Sequence, residues 1–207
     1  MVTCRRNGED SDRGSGRLQG RKAVITGGDS GIGRAVTLAI AREGADVLIS
    51  YLDAEEQEAQ ETVRLIEQAG QVAVTVPGDI RDETHCQQIV QTAVERFGGT
   101  DILVNNAAYQ MAQEDGLTAI STKQFHRVLK TNVYALFWMC KYAVPHMKSG
   151  SSIINTSSIQ AVQPSPELMG YALTKAAIVH FAKALATSLA GEGIRVNSVA
   201  PGPSGPR

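Results

Sequence analysis

Lys22-Ala23-Val24-Ile25-Thr26-Gly27-Gly28-Asp29-Ser30-Gly31-Ile32-Gly33-Arg34 is the stretch from which the fold is read. Three apolar residues, Ala23 to Ile25, make a short buried strand, and the residues from Arg34 to Arg42 have helical character. Between them Gly27, Gly31 and Gly33 stand at G-x-x-x-G-x-G spacing. Glycines let the backbone turn tightly, and they let a pyrophosphate approach the amides of a helix N-terminus, where the helix dipole favours an anion. A glycine-rich turn that holds no ligand can show the same spacing.

The strand and helix alternation continues from there. Gly44 closes the first helix, and residues 46–50 form a second strand. Residues 53–69 read as a solvated amphipathic helix ending at Gly70, and residues 72–76 as a third strand ended by Pro77-Gly78-Asp79. A helix over 82–97, a strand over 101–105, a long helix over 121–148, a strand over 152–156, a helix over 170–190 and a sixth strand over 194–199 complete the order. Strands that are apolar throughout, separated by helices, specify a parallel sheet covered on both faces, an α/β fold. With 207 residues and no internal repeat or linker, one domain is expected over 22–207.

Composition removes several classes of function. The chain is 43% hydrophobic and 20% charged, as ordinary globular proteins are. Its 20 Lys and Arg against 21 Asp and Glu give a net charge of −1, with no field to draw nucleic acid or an anionic membrane surface. No apolar run reaches the ~18 residues of a membrane span. Residues 1–21 lack the apolar centre of a signal peptide and contain Glu9, Asp10 and Asp12, so they are expected to be a polar, disordered tail. Cys4, Cys86 and Cys140 show no C-x-x-C spacing, which fits a reducing, cytoplasmic compartment. His85, His126, His146 and His180 stand singly in helices, and no metal site is expected.

Tyr171 and Lys175 lie four residues apart in the helix over 170–190, with Ser158 thirteen residues before the tyrosine. The spacing puts an ammonium beside a phenol on one helix face, where the cation makes the phenolic proton easier to lose. That pairing is the basis of an acid/base catalyst. A surface tyrosine lying on a lysine stem has the same spacing.

Taken in chain order, these motifs make the sequence resemble the classical short-chain dehydrogenases/reductases over about residues 20–202. They are Thr26 to Gly33, Asn105-Asn106-Ala107-Ala108 after the fourth strand, Asn132 in the long helix, Ser158 with Tyr171 and Lys175, and Pro201-Gly202 after the sixth strand. The resemblance implies a Rossmann-like doubly wound sheet and hydride transfer between a nicotinamide cofactor and a small alcohol or carbonyl substrate. Tyr171 would act as acid/base, with Lys175 lowering its pKa and holding the nicotinamide ribose. Ser158 would bind the substrate oxygen, with Ser157 a neighbouring alternative, and Asn132 would hold a water that links Lys175 to solvent. Gly27, Ser30, Gly31, Ile32 and Gly33 would cradle the cofactor. Asp79 and Ile80 would meet the adenine, Asn106 and Ala107 would line the ribose path, and Pro201 and Gly202 would close the nicotinamide end. A turn residue after Pro77-Gly78 is the lesser alternative for Asp79.

The choice between NAD and NADP rests on the end of the second strand. Tyr51 stands where an acid would read a free ribose 2′-hydroxyl, with Asp53 two residues on. No basic residue follows the strand, which leans slightly to NAD. The helices over 121–148 and 170–190 are those that pair subunits in the family, so a homo-oligomer is expected. Gln110, Met111, Gln160 and Met169 are candidates for pocket lining and fit equally well as loop residues.

After Pro201-Gly202 the chain continues as Pro203-Ser204-Gly205-Pro206-Arg207. The family's substrate lid and seventh strand are missing from it, and Pro206 stands where a cofactor-binding threonine is expected. A six-strand sheet ending in an uncovered apolar edge follows from that reading. Two functions therefore compete at this level. One is the oxidoreductase, and the other is a non-catalytic dinucleotide-binding or interaction protein, or an inactive truncated fragment.

Overall fold

The computed structural model describes residues 14–202. Residues 1–13, which carry most of the expected N-terminal tail, and Pro206 lie outside them. Six parallel strands form one sheet: β1 Lys22–Thr26, β2 Asp46–Tyr51, β3 Ala73–Pro77, β4 Ile102–Asn105, β5 Ser152–Thr156 and β6 Arg195–Val199. Their order is β3-β2-β1-β4-β5-β6. The order reverses between β1 and β4, so the crevice for a ligand opens at the carboxyl ends of those two strands.

Alternation along each strand divides the core in two. Val24, Leu48, Leu103 and Ile153 face one layer. There they meet helices α3 (Glu83–Phe97), α5 (Ala135–Ala143) and α6 (Met169–Leu189) through Ile89, Met139 and Ile178. Ala23, Ile25, Val47, Ile49 and Val104 face the other. That layer holds α1 (Gly31–Arg42) and α2 (Glu56–Gln68), which contribute Ile40, Ala59 and Ile66. Both faces of the central strands are covered, which is why their inner positions, Ala23 to Ile25, Val47 to Ile49 and Ile102 to Val104, are apolar, while the buried polar residues Thr26, Ser50 and Asn105 stand at or near the carboxyl ends. None of the helices among the described residues is long and apolar enough to cross a membrane.

Three expectations change. Residues 14–21 are not a loose tail. Leu18 N donates to Glu43 O (2.9 Å), Asp46 N donates to Arg21 O (3.0 Å), and Arg17 pairs with Glu43 at 2.7 Å, which docks this segment on the end of α1. The long helix over 121–148 is interrupted. Helix α4 (Thr122–Leu129) passes through a π-helical turn at Lys130–Tyr134 into α5, and a short 3₁₀ turn, Val144–His146, follows. The edge strand β6 is not an apolar ribbon either. Only Val196 reaches the core, while Arg195 and Asn197 face solvent and Val199 is 47% exposed.

Candidate active site

At the crevice the glycine turn is held in one shape. Gly27 has φ +64°, in the left-handed region, and its amide donates to Ser50 O at 2.7 Å. A Cβ on Gly33 would stand 1.7 Å from Gly27 O and 2.6 Å from Asn106 Nδ2, so this position admits no side chain. Thr26 Oγ1 accepts from the amides of Asn106 (3.1 Å) and Ala107 (3.2 Å), and Asn106 Nδ2 donates to Gly27 O (3.2 Å). The turn after β1 and the turn after β4 are thus one hydrogen-bonded unit. Ser30 occupies the N-cap of α1 but its side chain makes no capping bond, Ile32 is 42% exposed, and the first helical turn carries no acid. Open amides at the positive end of a helix, on a floor that excludes Cβ atoms, fit a pyrophosphate.

The reactive side chains gather at the ends of β5 and α6. Lys175 is 2% exposed, and its Nζ donates to Thr156 O at 2.7 Å while lying 5.3 Å from the centre of the Tyr171 ring. Burial lowers its pKa to about 8. Tyr171 is shifted the other way. Burial raises its pKa, and hydrogen bonding with Ser158 only partly opposes that. The pairing read from the sequence is present, yet burial outweighs it and the phenol lies above its ordinary range. Ser157 and Ser158 separate clearly. Ser157 is buried with Oγ donating to Lys175 O (2.9 Å), whereas the half-buried Ser158 opens the short turn Ile159–Ala161 and accepts from Gln160 N (3.2 Å).

Asn132 sits in the π-helical turn and is 2% exposed. Its Oδ1 accepts from Tyr109 N (2.7 Å), and its Nδ2 donates to Tyr109 O (3.0 Å) and Thr174 Oγ1 (3.0 Å). Both amide donors are therefore in use. Beside it a cavity of about 10 Å³ is lined by Thr131, Asn132, Thr156, Lys175 and Asn105.

Other predicted positions are placed less simply. Tyr51 is buried at 4%, with its hydroxyl donating to Glu56 Oε2 (2.8 Å), and burial raises its pKa to about 12. Ile80 is packed in the core. Asp79 is held by Arg81, whose Nε donates to Oδ1 (3.0 Å) and Oδ2 (2.8 Å), whose Nη2 donates to Oδ2, and whose amide donates to Oδ1 (2.9 Å). Pro201 O accepts from Ile159 N (3.2 Å), which fixes the segment after β6 against the Ser158 turn, and Gly202 is exposed. Of the pocket candidates, Gln160 Oε1 accepts from Ser165 N (2.7 Å), while Met111 Sδ accepts from Tyr109 Oη (3.5 Å) and Gln124 Nε2 (3.8 Å). Arg81, Tyr109 and Thr174 were not anticipated. Each is defined by a partner distant in sequence or by a local turn, and neither periodicity nor motif spacing marks it.

Residues 27–205 match a family model described as enoyl-(acyl carrier protein) reductase. An oxidoreductase of Bacillus subtilis, YhdF, is 53% identical over 196 residues, covering 94% of this chain and 67% of its own. NADPH-dependent aldehyde reductase 1 of Arabidopsis thaliana is 43% identical over 194 residues, covering 91% of this chain and 67% of its own. Among solved structures, a short chain dehydrogenase from Burkholderia cenocepacia in complex with NADP superposes with a TM-score of 0.86. It is 37% identical, over 90% of this chain and 75% of that one. The chain belongs to the short-chain dehydrogenase/reductase family. It spans about two thirds of the length of the curated relatives it matches.

Proposed function

We propose that the protein is an NAD(P)-dependent oxidoreductase that interconverts an alcohol and a carbonyl compound, with Tyr171 as the acid/base. The observation that carries this reading is the convergence of Ser158, Tyr171 and buried Lys175 across the crevice from a glycine cradle suited to a pyrophosphate. Bound there, the cofactor supplies or accepts a hydride at its nicotinamide. The lean to NAD finds no support, because one relative of known structure holds NADP and a related plant reductase is NADPH-dependent.

The chain's own residues have separable tasks. Protonated Tyr171 donates to a carbonyl oxygen, and the upward push of burial keeps that proton in place at neutral pH. Ser158 holds the same oxygen and fixes its distance to the phenol. Lys175 spends one of its three donors on Thr156 O, which leaves two for the ribose hydroxyls. Asn132 has no amide proton to spare, so its part in proton supply is to wall the small cavity beside Lys175, where space for about one water joins the two. Gly27, Gly31 and Gly33 hold the pyrophosphate, with Asn106 and Ala107 beside the ribose.

The homo-oligomer expected through the helices over 121–148 and 170–190 has a candidate surface in Tyr134, Phe137 and Leu173, which are 50%, 44% and 50% exposed. Tyr134 and Phe137 line an apolar groove of about 210 Å³ together with Leu136 and Phe181.

Calorimetric titration with both dinucleotides, followed by turnover on a panel of aldehydes, ketones and polyols, tests the reading. Binding with reduction of at least one carbonyl compound is expected. Binding with no turnover on any substrate would support the non-catalytic dinucleotide-binding alternative instead.

A further inference from the structure

A dinucleotide whose pyrophosphate lies at the head of α1 has room for one nucleoside on each side. Ser158, Tyr171 and Lys175 lie toward β5, so the reacting half extends that way and the other half crosses β2 toward β3. Two strand spacings, about 10 Å, separate β1 from β3, which is roughly the reach of a ribose and its base. Asp79 lies two residues past the end of β3, where the family resemblance places an acceptor for the base. Its carboxylate is already occupied. Three donors of Arg81, namely the backbone amide, Nε and Nη2, are spread over both oxygens. A carboxylate offers about four lone-pair positions, so little acceptor capacity is left for a base amino group. The ion pair itself is partly solvated, with Asp79 and Arg81 side chains 37% and 40% exposed, so it can rearrange. Arg127 stacks 4.0 Å above the Tyr109 ring nearby and adds a second cation to this rim.

We infer that Arg81 is a positioning residue for the base end of the cofactor: by occupying both oxygens of Asp79 it weakens the reading of adenine's exocyclic amine. The inference rests on the proposed nicotinamide dinucleotide site. Arg81 also presents donors of its own beside the carboxylate, so the pair can meet a base edge that carries a carbonyl in place of the amine. The wild-type protein therefore discriminates poorly between adenine and hypoxanthine dinucleotides. Without the guanidinium, the carboxylate is free to accept from the amine, a hydrogen bond to a charged group that hypoxanthine cannot make.

The test is calorimetric affinity of the full chain for reduced nicotinamide adenine dinucleotide, with and without the 2′-phosphate, and for the matching hypoxanthine analogue of whichever form binds, in wild type, Arg81→Met and Arg81→Lys. Wild type should separate the two by about threefold or less, and Arg81→Met by about tenfold or more. The gain should come from tighter adenine binding with the hypoxanthine value unchanged. Arg81→Lys keeps the charge but loses the two-pronged grip, so it should fall between, and it carries the test if Arg81→Met does not fold. A ratio equal to wild type in both variants, or affinities that move together for the two ligands, overturns the inference and leaves the cofactor reading standing. No binding of either dinucleotide to the wild type overturns both.

Discussion

Lys175 Nζ lies 5.3 Å from the centre of the Tyr171 ring and spends a hydrogen bond on Thr156 O, with no carboxylate among its described partners. A cation held in the protein interior without a counter-charge is costly, and its pKa of about 8 expresses that cost.

Stability should therefore depend on pH through Lys175. The folded protein binds this proton less tightly than the unfolded chain, whose lysine titrates near 10.5. Between pH 8 and 10.5 unfolding takes up a proton, so stability rises with pH across that window and the penalty is fully present below it. The shift corresponds to about 3 kcal/mol. Denaturant unfolding of wild type and Lys175→Met at neutral and alkaline pH should show the wild type gaining on the variant by about that amount. A constant difference would contradict the burial of a charged lysine.

The direction of reaction should respond to pH through Tyr171. Burial favours the neutral phenol, so carbonyl reduction should run undiminished through neutral pH, whereas alcohol oxidation needs the phenolate and should climb as pH rises. Initial rates in both directions across pH 6 to 10 are the check. An oxidation rate that is flat or falls with pH would place the proton transfer elsewhere.

Gly33→Ala should disable the cradle. The added Cβ would stand 1.7 Å from Gly27 O, a backbone atom in a turn tied to Asn106, so the turn itself must move. The expected result is loss of stability of about 3 kcal/mol together with loss of dinucleotide binding, read by thermal unfolding and calorimetry.

Asn132→Ala should act first on structure. It removes three hydrogen bonds, leaving the amide and carbonyl of Tyr109 and the hydroxyl of Thr174 without that partner, at a cost of about 3 kcal/mol. Amide exchange at Tyr109 should accelerate in step with the lost stability. Unchanged exchange there would assign Asn132 a purely chemical role.

The central architecture was legible before the structure because it depends on local periodicity. Val24 and Ile25 alternate between two cores, Gly27 and Gly33 meet over six residues, and Tyr171 and Lys175 share a face by helical repeat. What stayed hidden depends on partners brought together by the fold or on single-residue irregularities. The π-helical turn at Lys130–Tyr134 shifts the helix by one residue and has no compositional mark, and Asn132 reaches across it to Tyr109. The motif marks Asp79 as an acceptor, but says nothing of Arg81 wrapping around it. The docking of residues 14–21 on Glu43 was obscured by their polar composition.

The carbonyl-reduction rate of Tyr171→Phe relative to wild type, with cofactor affinity measured on the same samples, decides whether Tyr171 is the acid/base. Loss of the phenolic hydroxyl should lower turnover by about a thousandfold while the dissociation constant for the dinucleotide stays within about twofold. Turnover near the wild-type rate would contradict the assignment of Tyr171 as the acid/base.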